Sequence, residues 1–524
     1  MTHFPPILFA IVFAVLVIAL TALARRLPVP TPIVQVLAGA AIGLLPGLEV
    51  PELDPDIVFF VFLPPILWAA AFFTSLREFK ANARPIGLLA VGLVLATTAA
   101  VAIAAHALLP GIPWAVAVAL GAIVSPPDAV AAAAIVSRLP VPRRVVVILE
   151  GESLVNDASA LVLYRTAVVA AVTGTFSLGE SVVRFFIDAG VGVGIGLLVG
   201  WLIIKAAGWT KDALAETLLT LAGPYVAWTA AEMVHVSAVL ACVAGGLYVR
   251  QHLSTAVSPS SRLQARAVWD LLVFLMNALI FLILGFEFGT LVDEMRVGSL
   301  GSIVAIGTAL SVVAMLVRLT WVPIATYLPR QLSAGLRARD PVPSWKGVFL
   351  ISWTSMRGIV SLASALALPR LLDDGTPFPY RAEAILITMT VIVITLVLQG
   401  LSLAPIIRAF RFEPEVGHLE EERLARREAL RRGAEALEDM SREPWADARD
   451  VEWLQQELHD RLRLHDHSGG RPDARRRLRL GVMSAERRML IRLRNEGQIS
   501  DEVLRELEQE LDLEAIRVGA GTER

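Results

Sequence analysis

The chain has 524 residues, 55% of them hydrophobic and 18% charged, and its mean hydropathy of +0.63 lies above the range of ordinary soluble domains. A net charge of -2 excludes a general affinity for nucleic acid, and a single cysteine, Cys242, excludes an intrachain disulfide framework and reads as a small packing residue. Roughly half of the charged residues fall in about the last fifth of the chain, so residues 1–411 read as a membrane domain and residues 412–524 as a helical cytoplasmic tail.

About thirteen apolar stretches approach the ~20 residues that cross a ~30 Å hydrocarbon core. They are centred near Ala14, Ala38, Val61, Leu95, Ile123, Leu161, Gly194, Leu221, Leu240, Phe281, Ala309, Ile359 and Val393. The first, within MTHFPPILFAIVFAVLVIALTALARR, has no basic n-region and no small-residue cleavage site, so it reads as a retained span rather than a signal peptide. Basic residues follow every second span. They are Arg25 and Arg26; Arg77, Lys80 and Arg84; Arg138, Arg143 and Arg144; Lys205 and Lys211; Arg250, Arg262 and Arg266; then Arg330, Arg337, Arg339 and Lys346. The intervening loops carry Glu49, Glu52, Asp54 and Asp56, or Glu180, or Asp293 and Glu294. Lysine and arginine collect on the cytoplasmic side, which places the N-terminus outside and the tail inside a cell membrane.

An odd span count permits two inverted six-helix repeats joined by one span, pairing the fifth span with the twelfth. Both are interrupted, the fifth by SPPD at Ser125 to Asp128 and the twelfth by SMRG at Ser355 to Gly358. Proline lacks an amide donor and obstructs the preceding turn, so the fifth helix should open there and expose amides on one side and carbonyls on the other. Asp128 is then placed to neutralise a positive helix end. Gly358 permits a comparable break, with Arg357 compensating negative helix ends or a neighbouring acid. The tail carries the helical pattern HLEEERLARREALRRGAEALEDM, a loop at HDHSGGRPD and a helix at ISDEVLRELEQELDL. It reads as a solvated domain that packs on itself or on a second copy.

Ionisable side chains at membrane depth are costly and default to function. The sixth span supplies VVVILEGESLVNDASALVLY, where Glu152 and Asn156, like Ser153 and Asp157, are four residues apart on a helix. Four oxygen-bearing side chains within two turns make a partial shell for a hard cation, and Asp157 can hold a cation or a proton but not both, so the two compete. Nothing resembles a calcium loop or a zinc spacing. Glu152 reads as a partner for a buried Arg357 rather than a direct ligand; Arg165 and Arg318 are further charges near the spans. A pore would need a selectivity ring that the sequence lacks, and an intramembrane protease using Asp128 and Asp157 would need a GxGD signature that is absent.

At GESLVNDASALVLY, SPPDAVAAAAI and SMRGIVSLASALALP the chain resembles the monovalent cation:proton antiporters of the NhaP and NHE kind, in the bacterial branch with a cytoplasmic tail. The resemblance implies an all-α polytopic membrane protein with unwound crossing helices, forming a homodimer with a six-helix core. It transports Na+, Li+ or K+ and protons and needs no cofactor. By resemblance Asp157 binds the ion or proton, Ser153 helps to coordinate Na+, Asn156 completes the Asn-Asp pair of electroneutral exchangers, Glu152 bonds Arg357, and Asp128 sits at the helix crossing. Pro127 stands where many relatives have threonine, so a carbonyl or water must replace that hydroxyl.

Overall fold

The computed structural model describes residues 6–24, 31–43, 55–128, 132, 136, 139–174, 178–210, 212–294, 299–373, 375–412, 416–466, 472–496, 498, 500, 503–504, 507–508, 510–511 and 513–514. Arg25, Arg26, Arg138 and Lys211 of the basic loops, Glu49, Glu52 and Asp54 of the acidic ones, His467 to Gly470, and much of the final ISDEVLRELEQELDL segment lie outside the described residues. The chain forms two compact units, Met1–Pro414 and Glu415–Arg524.

Among the described residues the structure is helical, with one antiparallel bridge between Leu371 and Pro377 as its only extended pairing. The first unit comprises α1 (Pro6–Ala24), α2 (Thr31–Gly43), α3 (Pro55–Phe73), α4 (Ala83–Leu108), α5 (Trp114–Val124), α6 (Arg143–Thr173) and α7 (Leu178–Thr210). It continues with α8 (Ala213–Met233), α9 (Ala238–Ala256), α10 (Pro259–Glu294), α11 (Leu300–Leu332), α12 (Trp345–Trp353), α13 (Ile359–Leu366) and α14 (Arg381–Phe410). Among the described residues, Ala83–Leu108, Phe186–Thr210, Ser260–Ile283, Leu300–Leu332 and Arg381–Phe410 are long and apolar enough to cross a bilayer. Their outward faces expose residues such as Ile103, Leu198, Leu271, Leu316 and Leu398, the solvent preference of a lipid-facing surface.

The helices sort into two packing groups. In one, α4, α5 and α6 pack together, α11 packs on α12, α14 and α4, and α13 packs on α14. In the other, α2 lies along α10, α7 along α9, and α3 against α8 and α9. The α7–α9 contact depends on small residues: a Cβ on Gly196 would strike the Ala241 backbone, so the glycine lets the two backbones approach closely, as in other membrane helix pairs. Breaks in helix hydrogen bonding are satisfied across helices. Pro65 has no amide to offer the Val61 carbonyl, and Tyr225 on α8 donates to it at 3.2 Å. At the π-helical turn Leu88–Leu93 the Leu88 carbonyl accepts from the Trp321 indole at 3.2 Å.

Connections meet at two ends. At one end Arg143 pairs with Glu78 at 2.5 Å, Arg144 bonds Asn82 at 3.1 Å and Asp340 at 2.7 Å, and Arg330 also bonds Asp340. Burial alone would raise the Asp340 carboxyl, but hydrogen bonds and charge from Arg144 and Arg330 outweigh it and hold the group below its ordinary value. At the other end Tyr380 donates to the Pro110 carbonyl at 2.6 Å, and the Ser237 amide to Asp188 at 3.3 Å. Arg165 pairs with Glu232 at 2.7 Å. The second unit contains α15 (Val416–Met440), α16 (Ala448–Asp466) and α17 (Pro472–Asn495), with surface pairs such as Arg431 to Glu428 at 2.8 Å.

Candidate functional site

Helix α5 ends at Val124, Ser125 caps it with its amide on the Gly121 carbonyl at 3.0 Å, and the chain runs on as Pro126, Pro127 and Asp128 outside the helix. Opposite it, Thr354 to Gly358 separates α12 from α13. The two breaks are joined directly: the Asp128 amide donates to the Met356 carbonyl at 2.7 Å. The Asp128 carboxylate accepts from the Ile359 amide at 3.4 Å, placing negative charge at the N-terminus of α13, where the helix dipole favours it. Arg357 supplies the opposite charge, donating from Nε to Val124 O at the C-terminus of α5 at 3.0 Å and from Nη1 to both oxygens of Ser355. Thr395 and Gln399 of α14 accept from the amides of Arg357 and Ser355, each at 3.1 Å. Each freed backbone group named here therefore has a partner.

Gly358 sits where this crossing is tightest. A Cβ there would overlap the Asp128 carboxylate, so Gly358→Ala must push Asp128 off the α13 terminus. Exchange in reconstituted vesicles is expected to fall by about tenfold or more, whereas Gly335→Ala, with nothing within 4 Å of its Cβ and no positive φ, should change flux little.

Beside the crossing lies a cavity of about 30 Å3, room for a water or a small cation. It is lined by Asp157 and Ser153 of α6, Pro127 and Asp128 of the α5 break, Gly358, and Ser361 of α13. Ile66, Leu67 and Ala70 of α3 close one side. Asp157 is 7% exposed, and among the described residues no side chain donates a hydrogen bond to it. Ser153, Pro127, Asp128 and Gly358 thus come together with Asp157.

The remaining expected residues are divided from them. Consecutive helix positions differ by about 100°, so when Ser153 and Asp157 face the cavity, Glu152 and Asn156 point to another side of α6. Asn156 is fully buried and donates to the Pro127 carbonyl at 3.1 Å; it shapes the break from behind, and the four side chains do not form one shell. The expected Glu152–Arg357 bridge is corrected: Glu152 is held in a two-pronged pair by Arg318 of α11, with Nη2 to Oε2 at 2.7 Å, and Arg318 Nε donates to Ile351 O at 3.0 Å. Arg357 has no need of the carboxylate because the broken helices give it carbonyls. Arg318 was legible as a lone arginine in an apolar stretch; Ser361, three residues past Gly358, was missed.

The fold and the site define a polytopic helical membrane protein with a carboxylate in a small cavity at the crossing of two broken helices. Residues 11–409 match the family described as sodium/hydrogen exchanger, transmembrane. The chain is 34% identical over 511 residues to an uncharacterised Na+/H+ exchanger of Mycobacterium tuberculosis strain H37Rv, covering 95% of this chain and 93% of that one. It is 34% identical over 412 residues to a sodium, potassium, lithium and rubidium/H+ antiporter of Bacillus subtilis, covering 74% and 60% respectively. The fold is similar to that of the sodium proton antiporter MjNhaP1 from Methanocaldococcus jannaschii, with a TM-score of 0.59, 19% identity and coverage of 76% of this chain and 97% of that one. The chain belongs to the sodium/hydrogen exchanger family of integral membrane proteins. Its relatives are transporters of monovalent cations and protons rather than enzymes.

Proposed function

We propose that this protein is a secondary antiporter of the cell membrane that exchanges Na+, Li+ or K+ for H+, one for one, by alternating access, with Asp157 binding cation or proton in turn. The observation that carries this reading is the Asp157 carboxylate, buried, lining a cavity of cation size and, among the described residues, left without a donor. Such a group retains its affinity for whichever positive partner arrives, and a single titrating carboxylate exchanges one charge for one charge. The name of the Bacillus subtilis relative supports a choice among alkali cations.

Counting α12 and α13 as one interrupted span, α1 to α14 make thirteen crossings, which fits two inverted repeats: α4, α5 and α6 correspond to α11, α12–α13 and α14, with the broken helix in the middle of each. Lys205 lies 4.8 Å from the Trp201 ring and 5.4 Å from the Trp209 ring, the pattern of a snorkelling lysine in an interfacial aromatic belt. With Arg143, Arg144 and Arg330, it supports a cytoplasmic assignment for the basic loops, an external N-terminus and an internal tail over 412–524. By the family resemblance the functional unit is a homodimer through the α1–α3 and α7–α10 group, and the tail is a solvated helical domain that packs on itself or on a second copy.

The test is reconstitution of the full chain into vesicles with an internal pH dye. Added NaCl, LiCl or KCl is expected to drive saturable proton movement that clamping the membrane voltage leaves unchanged. Cation current without coupled proton movement would replace the antiporter by a channel.

A further inference from the structure

Ser361 belongs to no interaction that the mechanism above requires, yet it is 1% exposed and, among the described residues, its Oγ has no hydrogen-bond partner. Several other buried hydroxyls in this unit bond backward to their own helix: Ser311 to Gly307 at 2.7 Å, Ser352 to Val348, Thr354 to Leu350 and Thr388 to Ala384 each at 2.8 Å. Ser361 is in the first turn of α13. The residues three and four before it, Gly358 and Arg357, lie at the break, and the Gly358 carbonyl already accepts from the Leu362 amide at 3.2 Å. A buried hydroxyl left unsatisfied is costly, and this one lines the same cavity as Asp157, Ser153 and Asp128.

Across the cavity, Pro127 has no side-chain oxygen and its carbonyl already accepts from Asn156. We propose that Ser361 Oγ is a ligand for the transported alkali cation, supplied from the second broken helix, and that it sets cation affinity. This deepens the antiporter reading and rests on Asp157 as the ion-binding carboxylate. Hard cations of this size take oxygen ligands, and a hydroxyl offers lone pairs without adding a second charge, so it favours the cation-bound state over the protonated one.

The experiment compares Ser361→Ala, Ser361→Cys and Ser361→Thr with wild type and Asp157→Asn, as full chains in vesicles, recording half-saturating NaCl and maximal rate. The alanine and cysteine variants should raise half-saturating Na+ by about tenfold while keeping the maximal rate within about twofold, and threonine should restore wild-type saturation. Cysteine nearly preserves shape but replaces oxygen by sulfur, so it reads ligand chemistry even where alanine disturbs folding. Wild-type half-saturation in the cysteine variant, or a fall in maximal rate alone, overturns the ligand assignment. Exchange retained in Asp157→Asn overturns the antiporter site itself, a different result.

Discussion

Asp157→Asn is expected to abolish cation-driven proton exchange, by about a hundredfold or more, while leaving the protein folded. The substitution keeps the shape of a side chain that fills the cavity wall, so packing around Ser153 and Pro127 survives. It removes the charge for which a cation and a proton compete: an amide neither titrates near neutrality nor offers a full negative charge. Dye dequenching in vesicles, with thermal unfolding in detergent as the control for folding, separates the two effects. Residual sodium-dependent proton movement above the level of empty vesicles would remove Asp157 from the centre of the mechanism.

The second large effect is on stability and concerns Glu152 and Arg318, each 1% exposed. Removing one partner of a buried ion pair leaves an uncompensated charge, at about 3–5 kcal/mol. Arg318→Met should therefore lower the unfolding temperature sharply, and adding Glu152→Gln should recover most of the loss, since the neutral pair needs no counter-charge. Arg357→Met behaves differently in the same cycle, because its guanidinium bonds Val124 and Ser355 rather than Glu152; neutralising Glu152 should rescue it little. Equal rescue of the two arginine variants would restore the Glu152–Arg357 pairing expected from the sequence.

That pairing shows where reading the sequence reaches its limit. Pro126, Pro127 and Gly358 announce helix breaks because proline and glycine act on their own backbone, and the structure places the breaks at those residues. The depth of Glu152 and Arg357 in the apolar stretches was equally plain, and that of Arg318 less so. What the letters lack is azimuth: they do not say which of two arginines at similar depth turns toward a given acid, nor that broken helices free enough carbonyls to satisfy the other. The same gap explains Asn156, grouped with Asp157 by helical spacing but turned toward the Pro127 carbonyl. Ser361 was hidden for another reason: serine in a helix ordinarily bonds backward, and only the structure shows that this one, in the first turn of α13, does not.

One flank of the cavity is hydrocarbon alone, formed by Ile66, Leu67 and Ala70 of α3, whereas the oxygen-bearing walls come from α6 and from the two breaks that hydrogen-bond each other. Methyl groups have no hold on a cation. If the two helix groups slide past one another, the cargo stays with its carboxylate and the greasy panel is simply drawn aside like a shutter, so the doorway and the seat are built from separate parts and can be retuned independently.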